Sequence, residues 1–365
     1  MVDRFIGFAT DIYREDEHWV PPLSSDVQRF MDPEANPYFA EAEIEHFLAT
    51  DSEGRTVGRI STTIDPAYVK RFGKTGFFGW FECIEDPEVA SALLRTAEEW
   101  VADRGMERLA GPYSYCATQE FGLLVDGFDR QPAVFQPHNP PYYAQLLAQA
   151  GYQPDFHTHT FSWLGERDSD AMARLVRRGD AVTDKLGLTV RDFDPEHWDS
   201  ETDLIQDLLA ASFADNHDMV PISRPVLHFQ LGELQELIDP RLIRFVEYQG
   251  KTVAFSVLVA DGNEVLKEAG GEITEEFLER YEALKAGVTG TVVLMIGVRP
   301  EYEGLGIGRV LIGEVAKVAL GRVGSFNDVH TTWVHEHNWQ SRSYMTQTGT
   351  EPVRTYAVYG KDLSQ

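Results

Sequence analysis

Cysteine is nearly absent. Cys83 and Cys116 are the only two in 365 residues. Two thiols in a chain of this length build no disulfide framework, and their spacing fits no metal knuckle. Basic residues are also scarce: 32 Lys and Arg stand against 59 Asp and Glu, a net charge of −27. So acidic a surface repels nucleic acid and anionic lipid, and neither is expected as a partner. An anionic cofactor must therefore be held by local geometry, against the global field. No apolar run approaches the roughly 20 residues of a membrane helix. The opening MVDRFIGFATDIYRED lacks the basic and then apolar pattern of a secretory signal. A reducing cytoplasm is the expected compartment.

What is present is an internal repeat. GRTVGRISTTID at 54–65 and GKTVAFSVLVAD at 250–261 both open on Gly-basic-Thr-Val and end on Asp. An apolar run precedes each, so each pair reads as a β-hairpin with a glycine turn. A second match follows in the same order. NPPYYAQLLAQAGYQ at 139–153 and NWQSRSYMTQTGT at 338–350 run from Asn through a short helix to Gly, which suits the two ends of a helix. Two ordered matches indicate duplication, with separate insertions at about 113–137 and 262–290. The length also suits two domains. The expected division is a first domain over 1–165, a helical linker over 166–187 and a second domain over 188–365. Strands alternate with helices in both halves, which predicts an α/β class with a mixed α+β sheet.

TVVLMIGV at 291–298 reads as a buried strand, ended by Pro300. RVLIGEVAKVAL at 309–320 carries a helical apolar stripe. Between them lie Gly304, Gly306 and Gly308. Glycines between a strand and a helix aim backbone N–H groups and the positive helix end at one point, which suits phosphate. A dinucleotide fingerprint is excluded, because the position that needs its third glycine holds Arg309 or Leu311. A P-loop is excluded by Gly308-Arg309-Val310. The alternative is a turn that only lets strand and helix pack closely.

Val298-Arg299-Pro300 followed by Glu303-Gly304-Leu305-Gly306-Ile307-Gly308 resembles the signature of the GNAT superfamily, the acyl-CoA-dependent N-acyltransferases. DVHTTWVHEHN at 328–338, the Asn338 segment and TYAVYGKD at 355–362 extend the resemblance over about 188–362. It implies two tandem GNAT-like domains and acyl-CoA, with acetyl-CoA expected, as co-substrate. The pyrophosphate would lie on the N–H groups of about 304–309. The implied cofactor-binding set is Ile296, Val298, Glu303, Gly304, Leu305, Gly306, Ile307, Gly308, Arg309 and Asn338. In the family the strand after the loop splays from the one before it, and the pantetheine arm lies in that gap. Two departures stand out. Glu303 replaces the usual Arg or Gln, and Met345 occupies the position where many members have a tyrosine acid.

In the first half GFFGWFECI and VASALLRTAEEWV take the matching places, but Glu85-Asp86-Pro87-Glu88 joins them. Asp86 and Pro87 start a helix well and make a poor anion site. The first half therefore reads as a degenerate GNAT fold, structural or walling the cleft. Acyl transfer to an amine needs a proton acceptor, an oxyanion donor and an acid for the thiolate. The candidate catalytic residues are Tyr344, one position from the family's acid, and His335. His335 and His337 share a strand face, with His330 on the other. His157 and His159 repeat the pattern. No third metal ligand stands out and no metal is expected. The acidic insertion after Asp261 would lie near the acceptor side, and FDRQPAVFQPHNPPYY would be a cleft wall or an ordered loop. The expected function is acetyl transfer from acetyl-CoA directly to an amine of a small molecule. The alternative is a non-catalytic acyl-CoA or metabolite sensor, or a scaffold. A homodimer is compatible with either.

Overall fold

The computed structural model describes residues 1–363 except 117–118, 214–219 and 234–237. The first half runs α1 (Val2–Ile12), α2 (Ser24–Met31), β1 (Glu43–Thr50), β2 (Thr56–Ile64), α3 (Pro66–Phe72), β3 (Thr75–Cys83), α4 (Pro87–Ala102), β4 (Arg108–Gly111), β5 (Leu123–Asp126), α5 (Tyr143–Gln149), β6 (Gln153–Thr160) and β7 (Ser162–Leu164). The second runs α6 (Gly165–Leu186), β8 (Thr189–Asp192), α7 (Trp198–Ser212), α8 (Arg224–Glu233), β9 (Ile243–Tyr248), β10 (Lys251–Ala260), α9 (Asn263–Ala269), α10 (Glu275–Gly287), β11 (Gly290–Val298), α11 (Ile307–Ala319), β12 (Asp328–Thr331), β13 (Val334–His335), α12 (Trp339–Thr348) and β14 (Arg354–Asp362).

Both hairpins form as read: β1 pairs antiparallel with β2, and β9 with β10. Asp86 caps α4 by accepting from the Glu88 N–H at 2.8 Å, with Pro87 at the first helical position. The strands form two mixed sheets, β1-β2-β3-β4-β14-β6-β13 with β5 on β14, and β7-β12-β11-β10-β9-β8. The halves thus exchange strands. β14, TYAVYGKD, lies inside the first sheet between β4 and β6, and β7 of the first half forms an edge of the second.

Polar 166–187 is a packed helix. Ala171, Met172, Leu175 and Val176 on α6 are buried in one core with Val315, Ala316 and Ala319 of α11. Burying such a face is what fixes a helix of otherwise charged sequence in place. On the other face of the second sheet α7 packs against Phe245, Phe255 and Val257. Beside it, Ala133 and Val134 from the first half pack on Val259 and Val292. The proline-rich stretch is thus packed on the second sheet. The insertion forms α9 and α10, between the end of β10 and the start of β11. That is the opposite end of β11 from the glycine loop, about 25 Å away at strand rise. Lys267 Nζ of the insertion donates to the Glu17 and Trp19 carbonyls of the first half.

Candidate functional site

The site begins where two parallel strands part. β11 pairs with β12 only from Gly290–Asp328 to Val293–Thr331. Thr332 makes the last tie, its N–H and Oγ1 donating to the Val293 carbonyl at 3.1 and 2.9 Å. The chain then passes Trp333 into β13, which pairs with β6 of the other sheet through Val334–His159 and His335–Thr158. On β11 the register slips. Val257 faces Met295 and Leu258 faces Val293, so Leu294 is an extra residue. From Leu294 onward the β12 side of β11 carries no strand partner. Leu294, Met295, Ile296 and Val298 are half-buried along this open edge.

The edge leads into the glycine loop. Gly304 and Gly306 have φ of +79° and +89°, a region that costs other residues about 1–2 kcal/mol. Gly306 is the N-cap of α11, and Ile307 is its buried first residue. Among the described residues the amide N–H groups of Gly304, Leu305, Gly306, Ile307 and Gly308 have no acceptor. Five such donors in a glycine loop at a helix N-terminus fit a pyrophosphate. Glu303 is exposed at the start of the loop, as are Leu305 and Arg309.

A helix closes the site. Asn338 Oδ1 accepts from the Ser341 N–H at 3.0 Å and caps α12. Met345 is buried in the core, which explains why no acid stands there. Tyr344 points toward the loop: a Cβ on Gly308 would lie 3.5 Å from its hydroxyl. Burial pushes the Tyr344 hydroxyl up and the Arg309 guanidinium pulls it down, burial being the larger effect. Tyr344 and Arg309, with Leu175 and Arg178 of α6 and Ile312, Ser343 and Gln347, line a cavity of about 480 Å³.

His335 lies on the first sheet. Its ring packs 4.7 Å from Phe156, and its Nδ1 accepts the His337 N–H at 3.1 Å. His157 joins this group through Glu336, 3.6 Å from its ring. His159 bonds Thr355, and His330 contacts Asp328 at 3.3 Å. His335, His337 and His157 thus gather around Glu336, while His159 and His330 have separate partners.

Sequence reading missed the aromatic wall at the parting of the strands. Phe121 of the first half packs 4.5 Å from Trp333. Next to it in the chain stands Glu120, an exposed residue. Desolvation, and then the Glu82 carboxylate, push its carboxyl up to about 7. No local pattern marks Glu120, because its neighbours come from distant segments.

The matching place in the first half is closed. β3 and β4 pair from Thr75–Arg108 to Phe77–Ala110, but contact continues beyond. The Tyr113 N–H donates to the Phe78 carbonyl at 2.8 Å, and a Cβ on Gly79 would collide with the Tyr113 carbonyl. Nearby, the buried Arg59 pairs with Glu82 and lies over the Phe5 and Trp80 rings. The chain's own side chains fill this side.

No family model matches the chain. It is 28% identical to Protein YghO of Escherichia coli (strain K12) over 367 residues, 98% of this chain and 92% of that one. It is 29% identical to a bacterial ceramide synthase of Caulobacter vibrioides over 370 residues, 99% of this chain and 94% of that one. Among solved structures, a tandem GNAT protein from the clavulanic acid biosynthesis pathway superposes with a TM-score of 0.57 at 14% identity, covering 100% of this chain and 95% of that one. The fold is that of a tandem GNAT protein. A GCN5-related glucosamine N-acetyltransferase region of a fungal multi-domain β-N-acetylglucosaminidase gives 0.59 at 16% identity, over 99% of this chain and 37% of that one. In this tandem GNAT fold the second half carries the open gap and the glycine loop. Among the described residues no helix is long and apolar enough to cross a membrane.

Proposed function

We propose that the protein is an acyl-CoA-dependent N-acyltransferase that moves the acyl group directly to an amine. The observation that carries this is the continuous path from the open edge at Leu294–Val298 to the five unpaired N–H groups at Gly304–Gly308. The loop would hold the pyrophosphate, and the edge would accept the pantetheine arm. Coenzyme A supplies the acyl group as a thioester, activated toward attack.

The chain's own part is to orient the donor, exclude water and take the amine proton. Glu120 is assigned the proton. Its carboxyl titrates near neutrality, and its neighbour Phe121 packs on Trp333 where the gap opens. His335 suits the role less, because its Nδ1 lone pair is already engaged by His337. Tyr344 stands at the phosphate end and is assigned to donor binding. Ceramide is the amide of a fatty acid and a long-chain amino alcohol. The relative bearing that name, together with the Phe121–Trp333 aromatic contact where the strands part, supports a long acyl group or a long-chain amine over acetyl and a small amine.

The test is turnover with acetyl-CoA and palmitoyl-CoA against short and long-chain amines, alongside calorimetric binding of each donor. Amine-dependent amide formation supports the reading, and absence of acyl-CoA binding sinks it. The core position of Met345, where the fold family's acid is expected, favours one second reading, a non-catalytic acyl-CoA sensor. It predicts binding without turnover.

A further inference from the structure

Where β13 ends, a carboxylate takes the place of a main-chain carbonyl. β13 and β6 run antiparallel through Val334–His159 and His335–Thr158, so the next pair in register is Glu336 with His157. Half of that pair is ordinary: the Glu336 N–H donates to the His157 carbonyl at 2.9 Å. The returning bond is not. The His157 N–H donates to the side-chain Oε1 of Glu336 at 2.9 Å, where a regular ladder uses the Glu336 carbonyl. That carbonyl is thereby released, and it accepts from Arg342 Nη1 of α12 at 2.7 Å. Glu336 thus joins its own strand to β6 of the first half and to α12. The same helix carries Tyr344, whose hydroxyl faces Gly308 of the loop.

The chemistry of the joint suits a permanent tie. The His157 N–H, first of all, holds the Glu336 carboxyl below the usual carboxylate range; burial opposes this, and the charges of His157, His337 and His335 add to it. Glu336 is therefore a carboxylate at neutral pH, and bonds to a charged acceptor are the stronger kind. The position gives the tie its consequence. After Thr332 the chain leaves β11, and the gap beside β11 exists because β13 goes to the other sheet. β13 is only two residues long, Val334–His335, so the two Glu336–His157 bonds are a large share of what fastens it there. We infer that Glu336 is a positioning residue for the acyl donor. By fastening β13 to the first half it keeps the gap open for the donor's arm, and through Arg342 it sets α12 against the glycine loop. The inference rests on the reading of the gap and loop as an acyl-CoA site. It gives the first half, which has no glycine loop of its own, a part in donor binding.

The test is calorimetric titration of the full chain with coenzyme A, on the parent and three variants. Glu336→Gln keeps an oxygen at the same reach and loses the charge. Glu336→Asp keeps the charge and is one methylene too short for the His157 N–H. Thr355→Val is the control for a general weakening of the sheet, because it removes a different side-chain bond on β6, that of His159 to Thr355. Glu336→Asp should weaken coenzyme A binding at least about tenfold, the worth of one charge-assisted bond. Glu336→Gln and Thr355→Val should each stay within about threefold of the parent. Should Glu336→Asp not fold, Glu336→Met, which keeps the length without the acceptor, takes its place with the same expectation. Parent-like affinity in the Asp or Met variant overturns the inference and leaves the loop reading intact. So does an equal loss in Glu336→Gln or in Thr355→Val. A parent that binds no coenzyme A overturns the loop reading and the inference together.

Discussion

Gly179 of α6 faces Gly313 of α11 with no side chain between them. A Cβ on Gly179 would lie 2.9 Å from the Arg309 carbonyl oxygen and 3.4 Å from the Gly313 Cα. The two backbones therefore touch one turn from the glycine loop. Gly179→Leu should destabilise the fold by about 1–3 kcal/mol through overpacking. It should also weaken coenzyme A binding, because the Arg309 turn is displaced. Denaturant unfolding and calorimetry on the same variant check both.

The loop itself gives a second prediction. Gly306→Glu places a carboxylate among the five N–H groups and should abolish the rise in melting temperature on adding acyl-CoA. Since Gly306 has φ of +89°, some intrinsic stability is lost as well. Gly308→Glu separates the two effects. Its φ is not positive, and the nearest atom to an added Cβ is the Tyr344 hydroxyl at 3.5 Å. It should lose binding with little loss of stability.

These relationships also show what the sequence made legible. Both hairpins, the Asp86 cap and the β11–loop–α11 unit rest on residues close together in the chain, where period and turn chemistry speak directly. The exchange of β14 and β7 between sheets depends on pairing partners more than a hundred residues away, such as Tyr359 with Gly111. Nothing local encodes it. The same holds for Arg178, read as part of a polar linker, and for Glu120, whose raised carboxyl comes from surroundings gathered by the fold. The position of Asn338 was readable as a helix cap, whereas the environment of His335 required knowing that β13 leaves its own sheet.

Proton acceptance by Glu120 predicts a pH profile. The carboxylate form is the base, so kcat should rise as pH increases through about 7. Glu120→Gln should lower kcat by about 10²–10⁴-fold, the usual worth of a general base, with little change in donor binding. A profile that keeps its inflection in the variant contradicts the assignment.

Tyr344→Phe tests the division of roles. With Tyr344 at the phosphate end, KM for acyl-CoA should rise several-fold while kcat stays within about twofold, the pattern of a uniform-binding loss. A fall in kcat with KM unchanged would instead make Tyr344 the thiolate acid.

Stability should follow two further groups. Arg59 and Glu82 are a buried ion pair, and Glu82→Gln strands the guanidinium at a cost of about 3–5 kcal/mol. The His330 ring is held above its ordinary value. Burial, the largest influence, opposes this, but the bond to Asp328 and the Asp261 and Glu264 charges outweigh it. Its stabilisation is therefore complete below pH 6.5 and is lost as pH rises through the folded value. The melting-temperature gap between the parent and His330→Gln should be wider at pH 5.5 than at pH 8.5.

The most direct measurement is thiol release from acetyl-CoA and palmitoyl-CoA, with and without a long-chain amine, on the parent and on Gly308→Glu. The account predicts amine-dependent release matched mole for mole by amide, greater with the long acyl group and absent in the variant. Donor binding with no amine-dependent release from any acyl-CoA would contradict it and leave a sensor in its place.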